Sequence, residues 1–384
     1  MNIGIITSAK FPPHEGIGHY VANLGKYLTT QGHGVTVFTR GSGLKTSRLE
    51  LGGLKIYQLP YLHIPPAHIY FHAIFLRRFL QQPQFQFDVL DFQSPLVPAI
   101  NLHIPSVAIF HTLMIPAAQR LELVGLMSLL VKAQSFTLSR SLEQALLNQA
   151  QVCYSVRPFE PSELIAYQPN AQRIIPVGIG VQDLFLEPLQ QQPNDKSPYA
   201  FYAGRLDYNK GLLDLVHSIK YVIKERPEVR FLFAGDGQLK SILEKAALKD
   251  GVTKHIEFMG LVSDRLKLRQ LYQEASVYVQ PAYYEGVPTS ILEAMASATP
   301  IVYTDTPGAH NLITPDEGRI VPPKQPQAIA QAILELLADE SHRQQMGRAC
   351  REKVLQNYTW EIVGRKIVNC YEQAINLWRP SSCA

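Results

Sequence analysis

Cysteine is scarce in this chain. Four residues, Cys153, Cys350, Cys370 and Cys383, are scattered through 384, and none falls in a C-x-x-C pair. That excludes a disulfide framework and a zinc site, and it reads as free thiols in a reducing compartment. Charge is also low, at 18% Asp, Glu, Lys and Arg, against about 25% in ordinary globular chains. The net charge of +4 is spread without a basic block, which excludes a dedicated nucleic-acid binder. No run approaches the roughly 18 apolar residues of a bilayer span. Residues 1–7 lack the basic start of a signal peptide and soon meet Lys10 and Pro12-Pro13. Apolar side chains, by contrast, are plentiful at 46%. They supply large cores in a chain long enough for two or three domains of about 150 residues. The expected class is a globular cytoplasmic protein.

Short apolar runs alternate with amphipathic stretches. Ile3–Thr7 reads as a strand, Tyr20, Leu24, Tyr27 and Leu28 recur at helical spacing, and Val35–Thr39 is the next strand. That order marks a parallel sheet with crossover helices. Val89–Asp91, Val107–Phe110 and Val152–Ser155 extend the sheet, with a helical region from about Arg120 to Asn148 before the last. Residues 187–198 are polar with three prolines and read as a linker. The alternation then restarts with strands at Tyr199–Ala203, Val229–Ala234, Ile256–Phe258, Val277–Val279, Ile301–Thr304 and Ile320–Val321. The organisation is a first domain at 1–186, the linker, a second domain at 199–360, and a final helical segment at 361–384 packing back on the first. Open parallel sheets bind ligands beyond the carboxyl ends of their strands, which points to a cleft between the domains.

Three segments carry candidate chemistry. Glu285-Gly286-Val287-Pro288-Thr289 leads from a strand into a helix that holds Glu293 about a turn in, with Pro288 suited to the first helical turn. Free N–H groups there form an anion site, flanked by two carboxylates suited to sugar hydroxyls. An ordinary exposed junction fits the same spacing. Arg205 follows the first strand of the second half, and Lys210-Gly211 precedes its helix. Two cations at a helix start oppose its dipole, but they suit a diphosphate held between them. The third segment, the loop Pro12-Pro13-His14-Glu15-Gly16-Ile17-Gly18, allows close backbone approach to an anion. His111 ends a strand of the same sheet and points to the same edge, although a lone His at a strand end is more often structural.

These residues together resemble the retaining glycosyltransferases of family four, which have the GT-B fold of two Rossmann-like domains facing a cleft. The resemblance rests on G-R-L-x-x-x-K-G at 204–211, on F-x-G, on E-G-V-P-x-x-x-L-E-A-M-A at 285–296, and on P-I-V. P-P-x-x-G near the start, G-R-I-V-P-P at 318–323 and Tyr358-Thr359-Trp360 extend it over nearly the whole chain. It implies that Arg205 and Lys210 hold a donor diphosphate and that Glu293 accepts from the ribose hydroxyls. Glu285 would contact the transferred sugar, with Gly286, Val287, Pro288 and Thr289 beside it. His111 would reach the sugar, and the Gly16 loop the phosphate. It also implies a nucleotide sugar donor, UDP- or GDP-linked, no cofactor and no metal. The first domain would bind the acceptor: lipid, glycan or small molecule. Residues 61–80, aromatic and ending in Arg77-Arg78 and Phe79-Leu80, fit either a peripheral contact with the inner membrane face or a core-packed helix. Glu15, Ala298 and Asn311 depart from the family pattern on the acceptor side. A nucleotide-sugar epimerase and a non-catalytic nucleotide-sugar-binding subunit are the competing readings.

Overall fold

The structure is a computed structural model of the whole chain, and it describes residues 1–13, 16–41, 43–61, 68–120, 129, 132–167, 173–189 and 197–378. His14, Glu15, most of the expected linker, Cys383 and part of the expected helix at Arg120–Asn148 lie outside these. The chain forms two compact units. One comprises Met1–Gly180 and Trp360–Ala384, the other Val181–Thr359.

The first unit is built on eight strands in the order β3-β4-β2-β1-β5-β6-β7-β8. They run over β1 Asn2–Thr7, β2 Gly34–Arg40, β3 Ser47–Leu51, β4 Leu54–Leu59, β5 Val89–Ser94, β6 Ser106–Phe110, β7 Val152–Ser155 and β8 Ile174–Pro176. Only β3 runs antiparallel, against β4. The central strands are covered on both faces, and so appear in sequence as unbroken apolar runs. Ile3, Ile5, Val107 and Ile109 are wholly buried. The β3–β4 hairpin carries no such run, since β3 is an exposed edge strand bearing Arg48 and Glu50. Its signal is the pair Gly52-Gly53, both with positive φ, as the primed hairpin turns require.

The second unit holds six parallel strands in the order β11-β10-β9-β12-β13-β14. These are β9 Tyr199–Ala203, β10 Arg230–Ala234, β11 Ile256–Gly260, β12 Val277–Gln280, β13 Ile301–Thr304 and β14 Gly318–Val321. Long helices cover the sheet, among them Leu212–Glu225 and Pro326–Ala338, which share one core with it. Glu187 is pinned here. Its carboxylate accepts from Arg269 Nη1 at 2.9 Å, and its carbonyl accepts from Arg351 Nη2 at the same distance. The described start of the polar stretch therefore lies against the second unit, whose boundary falls at Val181 instead of 199.

The helix Trp360–Leu377 belongs to the first unit. It is tied to the sheet by Tyr371, whose hydroxyl donates to buried Asp91 on β5 at 2.7 Å. Trp360 lies over Gly180, where a Cβ would come within 2.5 Å of its ring. Among the described residues, no helix is long and apolar enough to cross a membrane.

Candidate active site

In the second unit the loops that follow β9 and β12 meet. The chain leaves β9 through Gly204 and Arg205, makes a tight turn at Tyr208–Lys210, and enters the helix Leu212–Glu225 through Gly211. Gly211 has φ +63, and a Cβ there would stand 1.9 Å from the Pro281 carbonyl oxygen. Only glycine permits both the left-handed backbone and this approach. Tyr283 N–H donates to the Asn209 carbonyl at 2.9 Å and closes the junction. The F-x-G glycine acts similarly, since a Cβ on Gly235 would lie 1.8 Å from the Gly204 oxygen.

This close approach joins two of the expected site residues. The Lys210 ammonium pairs with the Glu285 carboxylate, both side chains being about one-seventh exposed (14% and 15%). Glu285 lies in the loop between β12 and the helix Thr289–Ala296. Pro288 takes the extended backbone of an N-cap (φ −64, ψ 122) and so stands just before the helix. This corrects the expectation that it occupies the first turn. The N–H groups at this helix start have no intrahelical partner, and Gly286, Val287 and Thr289 surround them.

Glu293 is also buried, with both oxygens engaged. Arg265 Nη2 donates to one at 2.5 Å and the Tyr272 hydroxyl donates to the other at 3.1 Å. Arg265 is further held by Gln182 at 3.1 Å and by the Phe185 ring beneath its guanidinium. Sequence reasoning missed Arg265, although the anomaly that marked Lys210 marks it too. It is a cation in the first turn of a helix, Arg265–Glu274, capped by the Asp264 carboxylate. Arg205 is not drawn into either pair. Its side chain is 65% exposed and among the described residues pairs with Asp207 alone, at 3.2 Å.

In the first unit, His111 directly follows β6 and is buried. Its Nε2–H donates to Gln93 Oε1 at 3.1 Å, which leaves Nδ1 as the acceptor. Desolvation lowers its pKa to about 3 and keeps the ring neutral. Its edge meets Tyr20, centroids 4.7 Å apart. Tyr20 belongs to the helix Gly16–Thr30, so the helix that Gly16 opens is seated on His111. Gln93 was also missed; its only signal was a polar residue at the end of an otherwise apolar strand.

Two further departures acquire a physical reading. Ala298 has φ +59, a left-handed backbone that glycine adopts without cost. Asn311 is exposed on the short helix Ala309–Leu312.

The model of Glycosyltransferase Family 4 matches residues 14–183, and that of Glycosyl transferases group 1 matches residues 187–353. The chain belongs to the group 1 glycosyltransferases, family 4. Its function is therefore glycosyl transfer, on the GT-B fold. The mycobacterial phosphatidyl-myo-inositol mannosyltransferase of Mycolicibacterium smegmatis is 25% identical, over 97% of this chain and 94% of that one. Sucrose-phosphate synthase from Thermosynechococcus elongatus superposes with a TM-score of 0.83 at 22% identity, covering 98% of this chain and 99% of that one. Anabaena HepE, solved with UDP and glucose, gives 0.73 at 15% identity, with 97% and 99% covered.

Proposed function

We propose that this glycosyltransferase moves a hexose, with retention, from a UDP- or GDP-linked sugar to a lipid or glycan acceptor, and needs no metal. The observation that carries this reading is the junction at which Lys210 and Glu285 meet beside the start of the helix Thr289–Ala296. The second unit binds the donor and the first binds the acceptor. Lys210 exchanges Glu285 for an oxygen of the diphosphate, and exposed Arg205 turns from Asp207 to grip the same group with its planar fork. The helix start adds N–H donors from Thr289 and its neighbours. Two cations and a helix end then stabilise the charge that develops on the departing nucleotide. Glu285, released from Lys210, faces the sugar hydroxyls and the positive charge at the anomeric carbon. Glu293 keeps lone pairs for the ribose hydroxyls while Arg265 and Tyr272 fix its position. Gly286, Val287 and Pro288 let the donor approach the backbone. His111 offers the sugar a neutral ring, and Gly16 brings its loop to the phosphate.

The UDP and glucose bound to HepE and the mannosyl transfer named for the mycobacterial relative are consistent with this donor and acceptor chemistry. Exposed Phe71, Ile74, Arg77 and Arg78 on the helix His68–Leu80 suit peripheral contact with the inner face of a membrane. The same helix buries Ile69, Leu76 and Leu80 in the first unit.

The test is a thermal-shift panel of UDP, GDP, ADP and their sugars on the protein and on Glu293→Ala. A nucleotide at about 100 times its Kd adds about 2.7 kcal/mol. One base should raise the melting temperature by several degrees, and the variant should lose that response. If no nucleotide shifts the protein, the donor assignment fails.

A further inference from the structure

A small recess at the carboxyl edge of the first unit's sheet is used by none of the groups above. Thr7 and Ser8 after β1, Arg40 at the end of β2, Tyr61, His72 and Leu96 line it. The strand order reverses here, with β2 and β4 on one side of β1 and β5 and β6 on the other. In open parallel sheets that reversal leaves the crevice in which ligands bind. The recess is partly open and about 10 Å³ in volume. That is room for one water-sized group and too little for a sugar ring.

Two of the side chains that line it, His72 and Arg40, carry buried groups left unmet. His72 is 6% exposed, and among the described residues neither ring nitrogen has a hydrogen-bond partner of good geometry. The Pro60 carbonyl influences the ring without closing a bond of good geometry. Arg40 Nε is likewise buried without a partner among the described residues. Its Nη1 makes only a long 3.4 Å contact with the Tyr61 hydroxyl, and its guanidinium lies 5.3 Å from the Tyr61 ring centroid. Besides Tyr61, two hydroxyls line the recess, and both are engaged elsewhere. Ser8 donates to the Pro95 carbonyl at 3.0 Å, and Thr7 accepts from Ala9 N–H at 3.1 Å. Among the described residues no acidic side chain lines the recess, so Arg40 stands there uncompensated. Buried donors without partners are exceptional in folded proteins.

We propose that the recess binds a phosphate group of the acceptor, one oxygen entering between Arg40 Nε and a His72 ring N–H while the rest of the molecule stays outside. Arg40 Nε and the His72 ring are the buried groups left unpartnered beside the recess, and phosphate is an acceptor that suits a guanidinium. A tetrahedral phosphate can direct a single oxygen into a water-sized space. Calling this ligand the acceptor rests on the glycosyl-transfer reading above; the phosphate site itself does not. The phosphate comes from a soluble sugar phosphate or from a phospholipid headgroup.

The experiment uses the full chain with isotope-labelled histidine at pH 7, titrated with inorganic phosphate at constant ionic strength. The His72 ring signals are identified by their loss in His72→Gln. They should move saturably while those of His111 stay fixed. Affinity should fall at least tenfold in Arg40→Gln and remain unchanged in Lys210→Ala, which removes the cation of the other candidate anion site. A static His72 ring overturns the proposal, as does a response lost in Lys210→Ala and kept in Arg40→Gln. If Arg40→Gln does not fold, the unsubstituted protein's ring titration and the Lys210→Ala control decide. Glycerol 3-phosphate binding more tightly than inorganic phosphate assigns a soluble phosphoester. Phosphatidylglycerol vesicles moving the same ring, while glycerol 3-phosphate is no better than inorganic phosphate, assign a headgroup. Phosphate should also inhibit transfer competitively with acceptor and not with the nucleotide sugar; inhibition against the sugar alone overturns the acceptor assignment. Loss of UDP and GDP binding with the His72 response intact would sink the donor reading and leave the phosphate site standing.

Discussion

The two units place their ionisable groups differently on similar parallel sheets. In the second, Arg205, Lys210 and Glu285 sit in loops at the carboxyl edge, each beside a group of opposite charge. In the first, several such groups lie inside. Asp91 is wholly buried, accepts from Tyr154 and Tyr371 at 2.7 Å each, and is pushed up to about 7 by desolvation. Glu143 is pushed up to about 8 by the same cause, though the Tyr167 hydroxyl and Met114 N–H donate to it. Charged groups at a rim are available to a ligand. Groups in the interior act as hydrogen-bond anchors, and Asp91 fastens a helix 280 residues away in sequence.

Three substitutions test that division. The largest effect is expected at the rim. Lys210→Ala loses a charge-assisted contact to the leaving diphosphate, about 1.5–3 kcal/mol of transition-state stabilisation. Turnover should fall about ten- to 150-fold, read as kcat/KM in a nucleotide-release assay, and unchanged turnover would place the diphosphate elsewhere. An interior group should instead affect stability and its pH dependence. Folded Asp91 holds its proton up to about pH 7, whereas the unfolded chain sheds it near 4. Its contribution is therefore full below about pH 4 and is lost as pH rises through 7. The melting temperature of the protein minus that of Asp91→Asn should fall between about pH 4 and 7 and level off above that, and a flat difference would show that Asp91 titrates normally. The smallest effect concerns backbone alone. Ala298→Gly relieves about 1–2 kcal/mol of left-handed strain and adds about 0.4–1 kcal/mol of unfolded-state entropy cost. A net gain of about 0.5–1 kcal/mol should appear in urea unfolding, and a loss would mean that the methyl packs usefully.

Much of the fold was legible because parallel strands buried on both faces leave unbroken apolar runs. β7, β9 and β13 fall where those runs do. The hairpin of β3 and β4 was not, since an edge strand exposed to water has no apolar run and its local signal is confined to the Gly52-Gly53 turn. The helix Glu340–Asn357 was overlooked for a related reason, as few of its 18 residues are buried. At the candidate site, residue types and spacing pointed to Arg205, Lys210, Glu285 and Glu293. They did not reveal that Glu285 neutralises Lys210, or that Arg265, Tyr272 and Gln93 hold the others in place. Those partners come from other elements and repeat at no fixed interval.

The sequence by itself determined two parallel α/β halves and the loops that carry charge, because periodicity and loop chemistry are local properties. Only the tertiary structure decided which charges meet, which are stripped of water, and where two buried donors line one recess. Desolvation and pairing depend on neighbours that the chain brings together from far apart, such as Asp91 and Tyr371 or Arg40 and His72.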